Sequence, residues 1–409
     1  MAVVAEHLVE ERVVLLVAAV DAAADLALVV RRVLGLRHRL DLGEHLGSRA
    51  ATRGKAAGDG ESVGVGVQAH DGSLSFRWRP SGGPHTARRG EQTHLGTLDR
   101  ATPFRMTRVD IHALVRRVPG WEQQHIDLAP LHGGITNTNF VATVDGQRAV
   151  VRVPGERTEL LGIDRANEAE AAIRAAQLGI GPAVLGKLPD IGTLITALVP
   201  GRHLEPTPFT GRLPEVVELL RTFHDSGPLQ GGFPIHRVVE WHARDASSYG
   251  VVPPTSYGRL HQQSRRIEAA FAAAPLPTVP CHNDLLPGNL LFEHDGDRVW
   301  LLDFEYAGMN DRFFDLGNLS VNCGLDTAGD QQLLRLYFGE VTPSRWARLQ
   351  LMKMMSEFRE GMWAVVQQAI STLDTDFVSY ADERLGNCER LAARPQFEQW
   401  LVDAAAPAL

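Results

Sequence analysis

The sequence predicts an α+β protein in which a small strand-rich segment precedes a larger helical one. Three observations point there. Two alternating apolar runs, residues 139–144 and 148–153, flank Asp145-Gly146, a strong signal for a two-residue β-turn. A second pair of short apolar runs, "NLLF" and "RVWLLDF", flanks Asp295-Gly296. Beyond residue 205, segments of helix formers with apolar stripes dominate: Leu213–His224, Tyr257–Ala274, Asp330–Phe338, Pro343–Leu373 and Phe377–Ala393.

The elements follow in chain order. Residues 2–50 use only Ala, Val, Glu, His, Leu, Arg, Asp, Gly and Ser, without the aromatics and turn formers of a specific core. Residues 47–94 are rich in Gly, Ser, Arg and His with little apolar periodicity, and read as disordered. Residues 1–105 are therefore expected to be a disordered, spurious or non-essential N-terminal extension, with the functional chain starting near Met106. "DIHALVRRV" predicts a short amphipathic helix and Ile126–Leu131 a strand. "HGGITNTN" joins that strand to the first turn-linked pair. "DRANEAEAAIRAAQLGI" predicts a helix stopped by Gly179. "TLITALV" predicts a strand and "PGRHL" a linker, so residues 106–200 would form one lobe and residues 201–409 another.

Composition narrows the function classes. The chain has 409 residues, 44% hydrophobic and 22% charged, enough for two lobes with real cores. A formal net charge of −8 argues against a nucleic-acid binder and is compatible with a cationic ligand. Cys281, Cys323 and Cys388 show no metal or redox spacing and fit a reduced, cytoplasmic protein; Cys281 reads as a small buried residue ending a strand. No run of eighteen uncharged apolar residues is present, so no membrane insertion is expected. The N-terminus, interrupted by Glu10, Glu11, Arg12, Asp21 and Asp25, lacks a signal-peptide pattern.

The chemistry is carried by "CHNDLLPGNLLF". Asp284 lies on the loop entering a strand pair, Asn289 just before its first strand and Asp303 at the end of its second. Pairing would bring three oxygen-bearing side chains to one spot. Hard oxygen ligands in a loose cluster suit Mg²⁺, which keeps several waters and shares substrate phosphates. Read alone, Asp284 and Asn289 also suit turn positions and Asp303 a strand end.

His-x-Asp-x₄-Asn followed by a strand ending in Asp-Phe resembles the catalytic set of kinases. "CHNDLLPGNLLF" and "WLLDFEYAGMNDRFFDLGNLS" look like the choline/ethanolamine kinase branch of the aminoglycoside-phosphotransferase-like kinases. "HGGITNTNF" resembles that family's phosphate loop, and "GIGPAVL" the segment after its first helix. The resemblance covers residues 110–395 and none of the first hundred.

It implies a bilobal protein-kinase-like fold, with ATP as phosphate donor between the lobes. Asp284 would be the catalytic base, Asn289 and Asp303 the Mg²⁺ ligands, and His282 the residue orienting the loop; a merely packed histidine reads equally well there. Arg152 stands where protein kinases carry a phosphate-binding Lys, and Glu168 is its expected partner, with Glu170 a surface neighbour. Thr136, Asn137 and Asn139 would meet phosphates, and backbone groups of Leu198 and Val199 the adenine. Glu305 follows the metal Asp as a group supporting the metal or facing the acceptor. Asp315 would cap a helix and brace the loop.

For the acceptor, a quaternary ammonium would need aromatic faces. Tyr306 and Trp363 are the candidates on the resemblance, with Trp241 and Tyr380 behind them; core packing explains any one of them alone. Glu357 and Glu360 read as a solvated helix face. Three functions compete: a choline or ethanolamine kinase, an aminoglycoside or thiamine-type phosphotransferase, and a non-catalytic kinase-fold binding module. The last predicts a broken base or metal ligand, and none is broken. Neither the acceptor nor the oligomeric state is fixed by these residues.

Overall fold

The computed structural model describes residues 64–70, 73–79, 110–131, 134–203, 209–293 and 298–407. The chain divides into two compact units, Met1–Arg105 and Met106–Leu409. In the first unit, β1 (Gly64–His70) and β2 (Ser73–Arg79) pair antiparallel from Gly64 opposite Arg79 to His70 opposite Ser73. The sequence reading gave this stretch no element, although Val65, Val67, Leu74, Phe76 and Trp78 alternate and Asp71-Gly72 stands between the runs. The rest of the expectation for residues 1–105 lies outside the described residues.

In the second unit, α1 (Ile111–Val115) is capped by Asp110, whose carboxylate accepts from the N–H of His112 at 3.0 Å and of Ala113 at 3.2 Å. An antiparallel sheet follows, in the order β3-β4-β5-β7-β6. Its strands are β3 (Ile126–Leu131), β4 (Asn137–Val144), β5 (Gln147–Pro154), β6 (Val184–Leu188) and β7 (Thr193–Ala197). Between β4 and β5, Asp145 and Gly146 take φ of 49° and 79°, the two left-handed residues a type I′ turn needs. That turn sets the register. Ala149 and Val151 join Leu114, Val115, Ala142 and Ile195 in a small core. Arg152, one residue on, faces the other way by the period of two.

Between β5 and β6 runs α2 (Arg165–Gln177), capped by Asp164. Its Ala171, Ala172 and Ala175 are buried in the large core shared with the helical part, not in the sheet's own core. The strand expected through Val199 ends at Ala197. The expected linker is itself a strand, β8 (Gly201–His203), paired with β10 (Leu290–Glu293). A Cβ at Gly201 would sit 2.4 Å from the Phe292 carbonyl oxygen, so this close pairing requires glycine.

The helical part comprises α3 (Leu213–His224), α4 (Ile235–Ser248), α5 (Tyr257–Ala273), α6 (Arg312–Asn322), α7 (Thr327–Phe338), α8 (Pro343–Ile370), α9 (Phe377–Ala392) and α10 (Phe397–Ala404). Two short pairs interrupt it: β9 (Val279–Cys281) with β12 (Gly308–Asn310), and β10 with β11 (Val299–Leu301). The axis is α8. It packs against α4, α6, α9 and α10, and every residue from Met354 to Gln367 is buried. The three cysteines are free and buried, Cys281 at the end of β9. Among the described residues no helix is long and apolar enough to cross a membrane.

Candidate active site

The loop leaving β9 is held from behind. Asp315, in the first turn of α6, accepts from the N–H of His282 at 2.8 Å and of Asn283 at 2.7 Å. His224 meets the same carboxylate at 3.0 Å and the Tyr337 hydroxyl at 2.6 Å. Asp315 therefore braces the loop as expected but does not cap the helix, since the cap is Asp311. Asn283 takes φ 63°, a left-handed conformation that Asn tolerates, and donates to the carbonyl of Tyr306 at 3.0 Å. His282 Nε2 donates to the Leu302 carbonyl at 2.7 Å, which leaves Nδ1 to accept the Asp284 N–H at 3.3 Å. Burial lowers the His282 pKa and keeps this neutral tautomer.

These bonds deliver Asp284. Its carboxylate is almost wholly buried, and both oxygens accept: Oδ2 from Asn289 Nδ2 at 3.2 Å and Oδ1 from Arg359 Nη1 at 3.1 Å. Asn289 Nδ2 also donates to the Asp284 carbonyl at 2.8 Å. Burial pushes the Asp284 pKa up to about 7, against the pull of Arg359. Leu290 stands opposite Leu301, and the Leu302 N–H donates to the Asn289 carbonyl at 2.9 Å. Asp303 follows directly, at φ 63°, and its charge is felt at Asp284. The strand pairing read from the sequence thus assembles Asp284, Asn289 and Asp303; the Asp295-Gly296 dipeptide between the strands lies outside the described residues.

The donor set fits a hard cation. Asn289 spends its amide nitrogen on Asp284, so its carbonyl Oδ1 is the end left for a ligand. Asp303 engages Arg152 through Oδ1, leaving Oδ2. Oxygen donors of this kind, few in number, suit Mg²⁺ shared with phosphates.

Beside them lies a partly buried charge network. Arg152 pairs with Asp303 and, at a looser 3.4 Å, with Glu168. The closer partner of Glu168 is Arg165, at 2.8 Å. Arg165 also donates to Asn137 Oδ1 at 3.0 Å and reaches Glu305 at 3.4 Å. The sequence reading missed Arg165. Its signal was available, because a residue three before Glu168 on a helix shares its face. Thr136 and Asn137 each donate to Glu305 at 2.8 Å, so their side chains engage that carboxylate. Burial and the charge of Asp303 push the Glu305 pKa up to about 7. Asn139 stands opposite Arg152 in the β4–β5 register. Glu170 pairs with Arg174 at 3.1 Å, away from this network. Leu198 and Val199 follow β7, half-buried, and the Leu198 N–H is already committed to the Arg148 carbonyl at 3.0 Å.

The phosphotransferase enzyme family matches residues 127–351, which include the sheet, the loop and the Asp303 segment. Rat ethanolamine kinase 2 is 30% identical over 305 residues, 66% of this chain and 77% of its own length. The crystal structure of a choline/ethanolamine kinase family protein from Mesorhizobium loti is 32% identical. It superposes with a TM-score of 0.62 over 72% of this chain and 98% of its own. The chain belongs to the phosphotransferase enzyme family, in its choline/ethanolamine kinase branch. It is an enzyme that transfers phosphate to an alcohol. Choline kinase LicA from Streptococcus pneumoniae, at 21% identity and a TM-score of 0.60 over 69% of this chain and 99% of its own, shares the kinase-like fold.

In this phosphotransferase aromatic and acidic side chains cluster around Tyr306 and Trp363. Trp363 Nε1 donates to the Tyr306 hydroxyl at 2.9 Å. The Trp363 ring meets Phe377 and Tyr380 edge-on, at 5.9 and 6.2 Å between centroids. Tyr380 donates to Glu360 Oε2 at 3.2 Å. Trp241, 39% exposed, takes no part in this cluster. Glu357 and Glu360 are buried, which overturns the solvated-face reading. Because α8 is enclosed on all sides, its charges must pair: Glu357 with Asn387 and Arg384, Glu360 with Arg359. Arg359, 2% exposed, was also missed, although "EFRE" sets it among acids on a helix whose flanks are apolar.

Proposed function

We propose that the protein transfers the γ-phosphate of ATP to the hydroxyl of a small amino alcohol, choline or ethanolamine. The observation that carries this is the burial of one carboxylate, Asp284, hydrogen-bonded by Asn289 and set beside Asp303. Asp284 takes the hydroxyl proton as phosphate transfers. Its elevated pKa suits a base that must accept and then release a proton near neutral pH. His282 holds the loop through Leu302. Mg²⁺ bound to Asn289 and Asp303 would neutralise charge on the donor phosphates. Arg152, held by Glu168 and Asp303, would grip phosphate oxygens, with Thr136 and, at the start of β4, Asn137 and Asn139 beside it. Leu198 and Val199 follow the last sheet strand, where adenine would dock. Tyr306 and Trp363 would meet the acceptor, while Glu305, called an acceptor group from the sequence, is bonded by Thr136, Asn137 and Arg165 on the phosphate side. The relatives named as ethanolamine kinases support the acceptor class.

The test is transfer of labelled γ-phosphate from ATP to choline, ethanolamine, thiamine and kanamycin. Transfer to an amino alcohol at the highest kcat/KM is the expected result. A preference for kanamycin or thiamine replaces the acceptor class, and no transfer to any acceptor removes the reading.

A further inference from the structure

A trimethylammonium group donates no hydrogen bond and is held by the open faces of aromatic rings. A primary ammonium instead donates to carboxylates and hydroxyls. The acceptor side of this protein has rings, but two of them, Tyr306 and Tyr380, already carry a guanidinium on a face. The Arg359 guanidinium stands 4.1 Å from the centroid of the Tyr306 ring. The Arg384 guanidinium stands 5.0 Å from that of Tyr380. Trp363 spends its N–H on Tyr306 and meets two further rings at their edges.

Arg359 is not a side chain free to swing away. Its Nη1 donates to Asp284 and to Glu360, and it is 2% exposed. Its Nε and Nη2 have no hydrogen-bond partner among the described residues. A permanently charged group therefore sits on the ring where a quaternary ammonium would stack, beside the carboxylate that must meet the acceptor hydroxyl. Two carboxylates flank this single cation, so the neighbourhood still attracts a second positive charge. What it offers that charge is carboxylate oxygen rather than an open π-face.

We propose that Arg359 is a specificity-determining residue: standing on the face of Tyr306, it reserves the pocket for an acceptor whose nitrogen donates hydrogen bonds, a primary ammonium, over a trimethylammonium. This rests on the amino-alcohol reading above and deepens it.

The experiment measures kcat/KM of the full chain for ethanolamine, its N-methyl and N,N-dimethyl derivatives, and choline. The expected result is a stepwise fall, with choline about tenfold or more below ethanolamine. Arg359→Met should raise the choline-to-ethanolamine ratio about tenfold, whatever happens to kcat for both. Should that variant fail to fold, inhibition of the unaltered protein decides: methylammonium should compete with ethanolamine better than tetramethylammonium. A choline preference in the unaltered protein, an unchanged ratio in Arg359→Met, or stronger inhibition by tetramethylammonium overturns the proposal. Transfer to neither amino alcohol, with transfer to kanamycin or thiamine, overturns the acceptor class beneath it.

Discussion

Arg359 Nη1 donates to Asp284 Oδ1 at 3.1 Å, inside a site where both side chains are almost wholly buried. Helix α8 thus reaches across to the loop after β9, and the carboxylate proposed as the base is fixed by a residue 75 positions away in sequence. Both oxygens of Asp284 are already hydrogen-bonded, so its orientation is set before any acceptor arrives. Such preorganisation removes the cost of aligning the base during transfer.

The first prediction concerns the base. Asp284→Asn preserves shape and keeps an oxygen for Arg359, but cannot take a proton. We expect kcat to fall about 10²–10⁴-fold, the usual contribution of general-base catalysis. Binding of ATP, measured by calorimetry, should stay within a few-fold. Turnover close to that of the unaltered protein would show that another group takes the proton.

The second concerns the buried pair. Arg359→Met leaves Asp284 and Glu360 without their guanidinium partner in a dry site. Breaking such a pair costs about 3–5 kcal/mol, because the orphaned charges stay buried. The loss should depend on pH. A buried carboxylate whose folded pKa lies above its unfolded value stabilises the fold below the unfolded pKa and loses that stability as pH rises through the folded one. Asp284 already sits at about 7, raised by burial, and loses an opposing cation in the variant. Urea unfolding at pH 5.5 and pH 8 should therefore show the larger deficit at pH 8. An equal deficit at both values would mean that the variant loses packing rather than charge compensation.

The contrast between Asn289 and Arg359 shows what the sequence made legible. Asn289 and Asp303 were found because strand pairing is a local rule: two apolar runs and a turn dipeptide bring their ends together. The strand-rich and helical parts followed from the same reasoning, since the alternation of two and the helical period differ. Arg359 and Arg165 were missed for one reason. Each is an arginine on a helix, where the default is a solvated charge, and only three-dimensional enclosure turns it into a fixed partner. The helix expected to be capped by Asp315 starts earlier, as α6 capped by Asp311, and runs through Gly317, a weak helix former. The structure gives the reason for that glycine: a Cβ there would sit 2.7 Å from the Met352 backbone of α8. The β8 strand was read as a linker because three residues carry no period.

The third prediction tests Arg165. It bonds Glu168, Asn137 and Glu305, tying the start of β4 to α2. Arg165→Met should loosen Arg152 without removing the base. We expect KM for ATP to rise about tenfold, with kcat reduced less, as for a lost ground-state contact. A fall in kcat with KM unchanged would assign Arg165 to the transfer step instead.

The fourth prediction separates the two units. Every candidate site residue lies between Thr136 and Tyr380, within the unit Met106–Leu409. We propose that residues 1–105 are dispensable, so a chain of residues 106–409 should keep kcat/KM within about twofold, an energy change well below one hydrogen bond. An insoluble or inactive fragment beside an active full chain would assign the first unit a part in folding or catalysis.

The last prediction is acid sensitivity centred on His242 in α4. This ring is 1% exposed; its Nε2 lies 3.4 Å from the Leu161 carbonyl, and Nδ1 has no partner among the described residues. Burial, aided by the charge of Arg359, lowers its pKa from 6.5 to about 4. The unfolded chain therefore binds a proton at about pH 6.5 that the folded chain refuses until about pH 4. Stability from this group is whole above the higher value and falls as pH drops through the window, by up to about 3 kcal/mol. His242→Phe removes the titration while filling the site with a ring of similar shape. Denaturant unfolding at pH 7.5 and pH 4.5 should show the unaltered protein losing more stability on acidification than the variant. If both lose the same amount, His242 is charged in the folded protein or its burial is relieved there, and another group sets the acid limit.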